Sequence, residues 1–140
     1  MPERFTVEEH VRWSDTDPAG ILYYGQYNRF IEIAETELFR FVGLPYSVMF
    51  DELNIWLPRV QIHFDFFHPL RLDDLIRISA YVGHFGTSSF TLRFEVHKQT
   101  ALAAAGHVVL ACVDRSTFRA RPLPERLVAG LKPYLESKNS

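Results

Sequence analysis

The segment from Tyr27 to Val42 limits the possible folds of this chain more than any other. Tyr27, Phe30, Ile31, Ala34, Leu38, Phe41 and Val42 recur at helical spacing, and Ile33 and Phe39 widen the apolar stripe. A helix this apolar has to be buried, so another element must wrap it. Its end is marked in the chain. Gly43 suits the left-handed C-terminal conformation, and Pro45 stands where the helix can no longer continue.

The wrapping material follows directly. Val60, Ile62, Phe64 and Phe66 alternate, then Ile76, Ile78, Ala80 and Val82, then Phe90, Leu92, Phe94 and Val96. Period-two alternation predicts three successive strands, with "HPLRLDD" and "GHFGTSS" as the connections and the second short enough for a hairpin. A longer apolar run, "ALAAAGHVVLACVDRSTF", predicts a central strand buried on both faces. Ahead of the helix, "FTVEEHVRW" predicts a first strand with Phe5, Val7, Val11 and Trp13 on one face. In the tail, Leu127, Leu131 and Leu135 lie four apart and predict a short amphipathic helix disturbed at Pro133. The expected architecture is α+β, one domain over residues 1–140, with an antiparallel sheet of about five strands around one long helix.

Composition narrows the function. At 140 residues and 47% hydrophobic, the chain can bury a core of ordinary size. A formal charge of -2 and scattered arginines give no footprint for a nucleic-acid backbone. No apolar run approaches the roughly 20 residues of a membrane span. The single cysteine, Cys112, cannot form an internal disulfide; in phase with Val108 and Leu110 it reads as a buried, inert thiol. "MPERFTVEEH" lacks the apolar core of a signal peptide, and a cytoplasmic protein is expected.

Between the first strand and the helix stands "WSDTDPAGILYYGQYNRF", residues 13–30. As a calcium loop beginning at Asp15 it fails, because position 5 is Ala19 and position 12 is Gln26 where a bidentate Glu is needed. As a capping device, either Asp could accept hydrogen bonds from free backbone N–H groups. As chemistry, the stretch sets a carboxylate beside a helix start whose free N–H groups can polarise a carbonyl. The tyrosines Tyr23, Tyr24 and Tyr27, with Trp56, are candidates to line a pocket for an acyl group, or to sit in the core. Glu35 on the helix could face a site or join a polar network.

The stretch "DTDPAGILYYGQYNRFIE", with "VRW" before it and "GLP" after it, resembles the hotdog-fold acyl-CoA thioesterases of the 4-hydroxybenzoyl-CoA thioesterase-like group, and the likeness in element order covers nearly the whole chain. The resemblance implies a hotdog fold and hydrolysis of an aromatic or short-to-medium acyl-CoA, with no metal or organic cofactor since CoA belongs to the substrate. It implies Asp17 as the catalytic carboxylate, either nucleophile or general base, and the Tyr24 N–H as donor to the thioester carbonyl. Asp15 and Gly20 would hold the turn. Arg59 falls at the level where the family's acyl group meets the neighbouring subunit, because members dimerise edge to edge, many pair further into tetramers, and the active sites lie at the subunit interface.

The basic cluster that some members carry in the hairpin corresponding to "GHFGTSS" is absent. Arg59, Arg119 and Arg121 are the remaining candidates to hold the nucleotide, and an acyl carrier protein stays open as the thiol carrier. Two other readings remain: a non-catalytic acyl-thioester-binding protein, and a hotdog dehydratase. His63 and His68 in "HFDFFHP" lack the Pro- and Gly-rich continuation of the dehydratase motif, and His63 falls on the strand's outer face.

Overall fold

A computed structural model describes residues 4–136, so Met1 to Glu3 of the segment read for a signal peptide lie outside the described residues. Five strands form one antiparallel sheet: β1 (Phe5–His10), β3 (Arg59–Phe66), β4 (Leu75–Phe85), β5 (Ser89–Lys98) and β6 (Ala101–Ala111). Their order across the sheet is β1-β4-β5-β6-β3, and helix α1 (Tyr27–Phe41) packs chiefly on β1 and β4. A two-residue pair, β2 (Ile55–Trp56) with β7 (Val113–Asp114), and helix α2 (Glu125–Leu131) complete the chain.

The alternation read from the sequence builds the core. Phe30, Ile31, Ala34, Leu38 and Phe39 are buried on α1, against Ile76, Ile78, Ala80 and Val82 of β4 and Phe90, Leu92, Phe94 and Val96 of β5. Phe39 meets Phe90 edge to face, with ring centroids 6.5 Å apart. Each such large side chain contributes on the order of 1.5–3 kcal/mol by leaving water. The helix ends as its sequence requires: Gly43 takes φ 79°, its N–H reaches the Arg40 carbonyl, and the Leu44 N–H reaches that of Phe39.

Three expectations need correction. Trp13 does not extend the first strand; it is 83% exposed in a 3-10 turn, Trp13–Asp15. The strand ladder ends at His10 opposite Leu75; Val11 still donates to the Asp74 carbonyl and accepts from the Asp73 N–H, and the neighbouring chain turns away at Asp73, where φ is 71°. The run after residue 101 lies between β5 and β3 as expected, but it breaks at Cys112 and is buried mainly on one face, through Ala104, Val108 and Leu110, with Ala103 buried at the register shift. The apolar residues of β3 alternate correctly but face little: Val60 is 62% exposed, Ile62 55% and Phe66 50%. The helix lies over the β1–β4 half of the sheet, and β3 is an edge strand paired, among the described residues, with β6 alone.

Cys112 is fully buried and burial pushes its thiol up, while His63 is exposed and stacks on His107 at 5.7 Å. In the tail, α2 buries Leu127 and Leu131, and Pro133 falls in the 3-10 turn that follows.

Two constraints fix how the parts meet. At Gly106 of β6, opposite Phe64, an added Cβ would lie 2.0 Å from the His63 carbonyl oxygen. The second constraint is ionic. Asp15 is 1% exposed, and its carboxylate takes two hydrogen bonds from Arg29 of α1, Nε at 3.0 Å and Nη2 at 2.6 Å, and a third from the Arg12 N–H at 2.7 Å.

Gly106→Ala is expected to cost about 2–3 kcal/mol through overpacking and to lower the melting temperature by roughly 5–10 °C, read by circular dichroism; an unchanged melting curve would mean that β3 moves aside freely. Arg29→Met leaves a buried carboxylate without its counter-charge and is expected to cost about 3 kcal/mol in urea unfolding. Arg29→Lys should restore only part of that, since an ammonium cannot reproduce the fork. Equal stability of wild type and Arg29→Met would show that the pair does not tie the loop down.

Candidate active site

The loop before α1 is a small hairpin closed by its own backbone. The Asp17 N–H donates to the Ile21 carbonyl at 2.9 Å, the Gly20 N–H to that of Asp17 at 2.9 Å, and the Tyr23 N–H to that of Asp15 at 2.8 Å. Pro18 presets the first turn position, and Gly20 takes φ 80°, which a side chain would strain. The Leu22 N–H reaches across to the Leu70 carbonyl at 2.6 Å, which ties the hairpin to the segment after β3.

The two aspartates therefore have different surroundings. Asp15 is consumed by Arg29 and Arg12, in the turn-holding place expected of it. Asp17 is half-exposed; its Oδ1 accepts the Ala19 N–H at 2.9 Å, and its Oδ2 has no partner among the described residues. One oxygen orients the group and the other is free.

Asp17 opens into a cavity of about 330 Å³ that Tyr24, Tyr27, Phe66, Phe67 and His68 also line, with Ile21, Leu22 and Leu70 among its apolar walls. Tyr24 is the first residue of the 3-10 turn Tyr24–Gln26 that leads into α1, a position whose N–H has no acceptor inside the helix. Burial pushes the Tyr27 phenol up to about 12, so it remains a hydrogen-bond donor at neutral pH. The Tyr23 ring packs at a tilt against that of Tyr24, centroids 4.7 Å apart, outside the cavity lining. Gly25 makes room for that ring, because an added Cβ would meet it at 2.6 Å.

Trp56 and Arg59, also singled out in the sequence, lie away from this cavity. Trp56 packs on Phe50 at 4.7 Å and donates its indole N–H to the Arg115 carbonyl at 3.2 Å. Arg59 lines a second, larger cavity of about 640 Å³ between α1 and β3, walled by Ile31, Phe50, Val60, Ile62 and Val108. There it donates to Glu35 Oε2 at 2.8 Å, to the Tyr46 hydroxyl at 3.1 Å and to the Leu57 carbonyl at 2.8 Å. Burial raises the Glu35 carboxyl above its ordinary range against the pull of Arg59. Glu35 thus joins a polar network. Of the other arginines, Arg121 donates to the Leu53 and Asn54 carbonyls, and Arg119 is exposed.

Phe66, Phe67 and His68 were not identified as one wall of this cavity by sequence reasoning. Phe66 reads as a core residue and His68 as half of a failed histidine motif. The available signal was position, because the end of a strand and the loop after it are where site residues concentrate.

Comparison with known proteins identifies the family and the fold. Residues 11–131 match the model of the thioesterase-like superfamily. The chain is 29% identical to the acyl-CoA thioester hydrolase YbgC of Escherichia coli O157:H7, over 87% of this chain and 91% of that protein. It is 26% identical to the 1,4-dihydroxy-2-naphthoyl-CoA hydrolase of Nostoc punctiforme, over 91% of this chain and 86% of that one. The crystal structure of the 1,4-dihydroxy-2-naphthoyl-CoA thioesterase Slr0204 from Synechocystis superposes with a TM-score of 0.85 at 22% identity, covering 93% of this chain and 96% of its own. A helix wrapped by a five-stranded antiparallel sheet, a matched family model and an aspartate loop before the helix lead to one conclusion: the chain belongs to the thioesterase-like superfamily of hotdog-fold thioester hydrolases.

Proposed function

We propose that this protein hydrolyses an aromatic or short-to-medium-chain acyl-CoA to the free acid and CoA. The observation that carries the reading is the Asp17 carboxylate, held through one oxygen and free at the other, in a cavity shared with the turn that opens α1. The aromatic walls Tyr24, Tyr27, Phe66 and Phe67 suit a flat acyl group, in keeping with a relative named for 1,4-dihydroxy-2-naphthoyl-CoA.

With the thioester carbonyl at the start of α1, the Tyr24 N–H stabilises the negative charge that develops on its oxygen. Asp17 then either attacks the carbonyl carbon, forming a mixed anhydride that water opens, or removes a proton from the attacking water. Both routes use residues of this chain and call on no metal or organic cofactor.

Trp56 and Arg59 enter through assembly. The open edge of β3 and its uncovered apolar face suit pairing with a second copy. Two-fold pairing of two β3 strands is antiparallel, which sets the Arg59 end of one beside Phe66 of the partner subunit and brings each Asp17 cavity toward the other protomer.

Asp17→Asn keeps the bond from Ala19 and removes the charge. Thiol release from benzoyl-, 4-hydroxybenzoyl-, phenylacetyl- and straight-chain acyl-CoAs, followed with a thiol-reactive dye, should fall roughly 10²–10⁴-fold in this variant. Near-normal turnover would sink the assignment; so would intact binding with no thiol release by wild type, which is the behaviour of a binding protein. Ile62→Glu puts a charge on the open face of β3 and should turn the dimer into an inactive monomer in sedimentation velocity. A dimer that survived this change would place the interface elsewhere.

A further inference from the structure

The cavity around Asp17 contains three other groups able to exchange a proton: Tyr24, Tyr27 and His68. Tyr27, at about 12, holds its proton throughout the neutral range. His68 is exposed, and its ring has no hydrogen bond or ion pair among the described residues. Its backbone, in contrast, is anchored. The Phe67 and His68 N–H groups both donate to the Ala103 carbonyl, at 2.7 and 3.2 Å, and two residues later the Leu70 carbonyl accepts the Leu22 N–H of the Asp17 hairpin. Pro69 stiffens the link between these two anchors. A free imidazole is therefore carried on a segment tied to the loop that presents Asp17.

Resting on the thioesterase reading above, we propose that His68 is the general acid that protonates the departing thiol. The need for one follows from leaving-group chemistry. When a carboxylate adds to a thioester, the tetrahedral adduct can expel either the carboxylate, of ordinary pKa about 3.9, or an alkyl thiolate, for which cysteine at about 8.5 is the guide. Expelling the carboxylate again is favoured by roughly 10⁴–10⁵ on that difference. A proton delivered to sulfur as the C–S bond breaks removes the bias.

The steps balance. The imidazolium of His68 gives its proton to sulfur, the C–S electron pair goes to sulfur, and the products are the free thiol, the acyl–Asp17 anhydride and neutral imidazole. Water from the open side of the cavity then opens the anhydride without help from His68, which releases the acid and restores the Asp17 carboxylate; the proton set free goes to solvent, from which the imidazole is recharged. If Asp17 acted only as a general base, the competing leaving group would be hydroxide. The thiolate would then depart unaided, and His68 would not be needed.

The test compares wild type, His68→Gln and Asp17→Asn on a CoA ester and an arenethiol ester of the same acyl group. An arenethiol is acidic enough to leave without a proton. His68→Gln is expected to lower kcat on the CoA ester about 100-fold with little change in KM, and to stay near wild type on the arenethiol ester. Equal losses on the two esters, a change confined to KM, or no loss at all would each overturn the proposal. An inert wild type would instead overturn the thioesterase reading, whereas an active wild type with a dead Asp17→Asn and an unaffected His68→Gln would remove His68 alone.

Discussion

The buried pairing of Asp15 with Arg29 is the interaction on which the rest of the site depends. A carboxylate that is 1% exposed persists only if its charge is matched and its oxygens are satisfied, and the fork of Arg29 with the Arg12 N–H does both. Because Arg29 belongs to the first turn of α1, the pair fixes the hairpin against the helix that fills the core. Asp17, two residues on, inherits that position without sharing the pair. The D-x-D spacing thus separates two duties: one carboxylate holds the loop, and the other is left with a free oxygen.

The second constraint is the mismatch between helix and sheet. A single helix about 10–12 Å across cannot cover five strands spaced nearly 5 Å apart. Since α1 lies over β1 and β4, the far edge is left open, and Val60, Ile62 and Phe66 of β3 are only partly covered by the described residues. Both cavities follow from this. Tyr27 meets Phe66 at 4.9 Å in the smaller one, and one and two helical turns further on Ile31 and Glu35 face the larger one with Val60 and Ile62. The seam between α1 and β3 is where ligand space arises because the core is incomplete there.

These relations were unequally legible in the sequence. The helix, its Gly43 stop and the strand alternations were readable because each is a local rule: 3.6-residue periodicity, a left-handed cap, two-residue periodicity. The role of Asp15 was readable as a turn, but its partner was not, since Arg29 lies 14 residues away and nothing in the spacing marks it. Val60, Ile62 and Phe66 read as core because alternation reports which face a residue takes and says nothing of whether that face is covered. Trp13 was misplaced for a related reason: the strand ends where its neighbour turns, at Asp73. His68 was missed because its meaning comes from proximity to Asp17, across a hydrogen bond between Leu22 and Leu70 that only the folded chain makes.

Among the carboxylates that line the two cavities of the seam, Glu32, Glu35 and Asp17, the surroundings of Glu35 and Asp17 differ most. Glu35 is buried, its Oε2 is bound by Arg59, and burial raises its carboxyl, so the group takes stability away from the fold as pH rises from the ordinary carboxylate range through that raised value. Its charge is compensated and immobile. Asp17 stands half in solvent with a single backbone donor, so it carries no comparable burial cost and keeps a lone pair available. An attacking or proton-accepting oxygen has to be charged, oriented and unpaired at once. Glu35 is oriented but its Oε2 is taken by Arg59, whereas the short turn Asp17–Pro18–Ala19–Gly20 orients its carboxylate through one oxygen and leaves the other unpaired among the described residues.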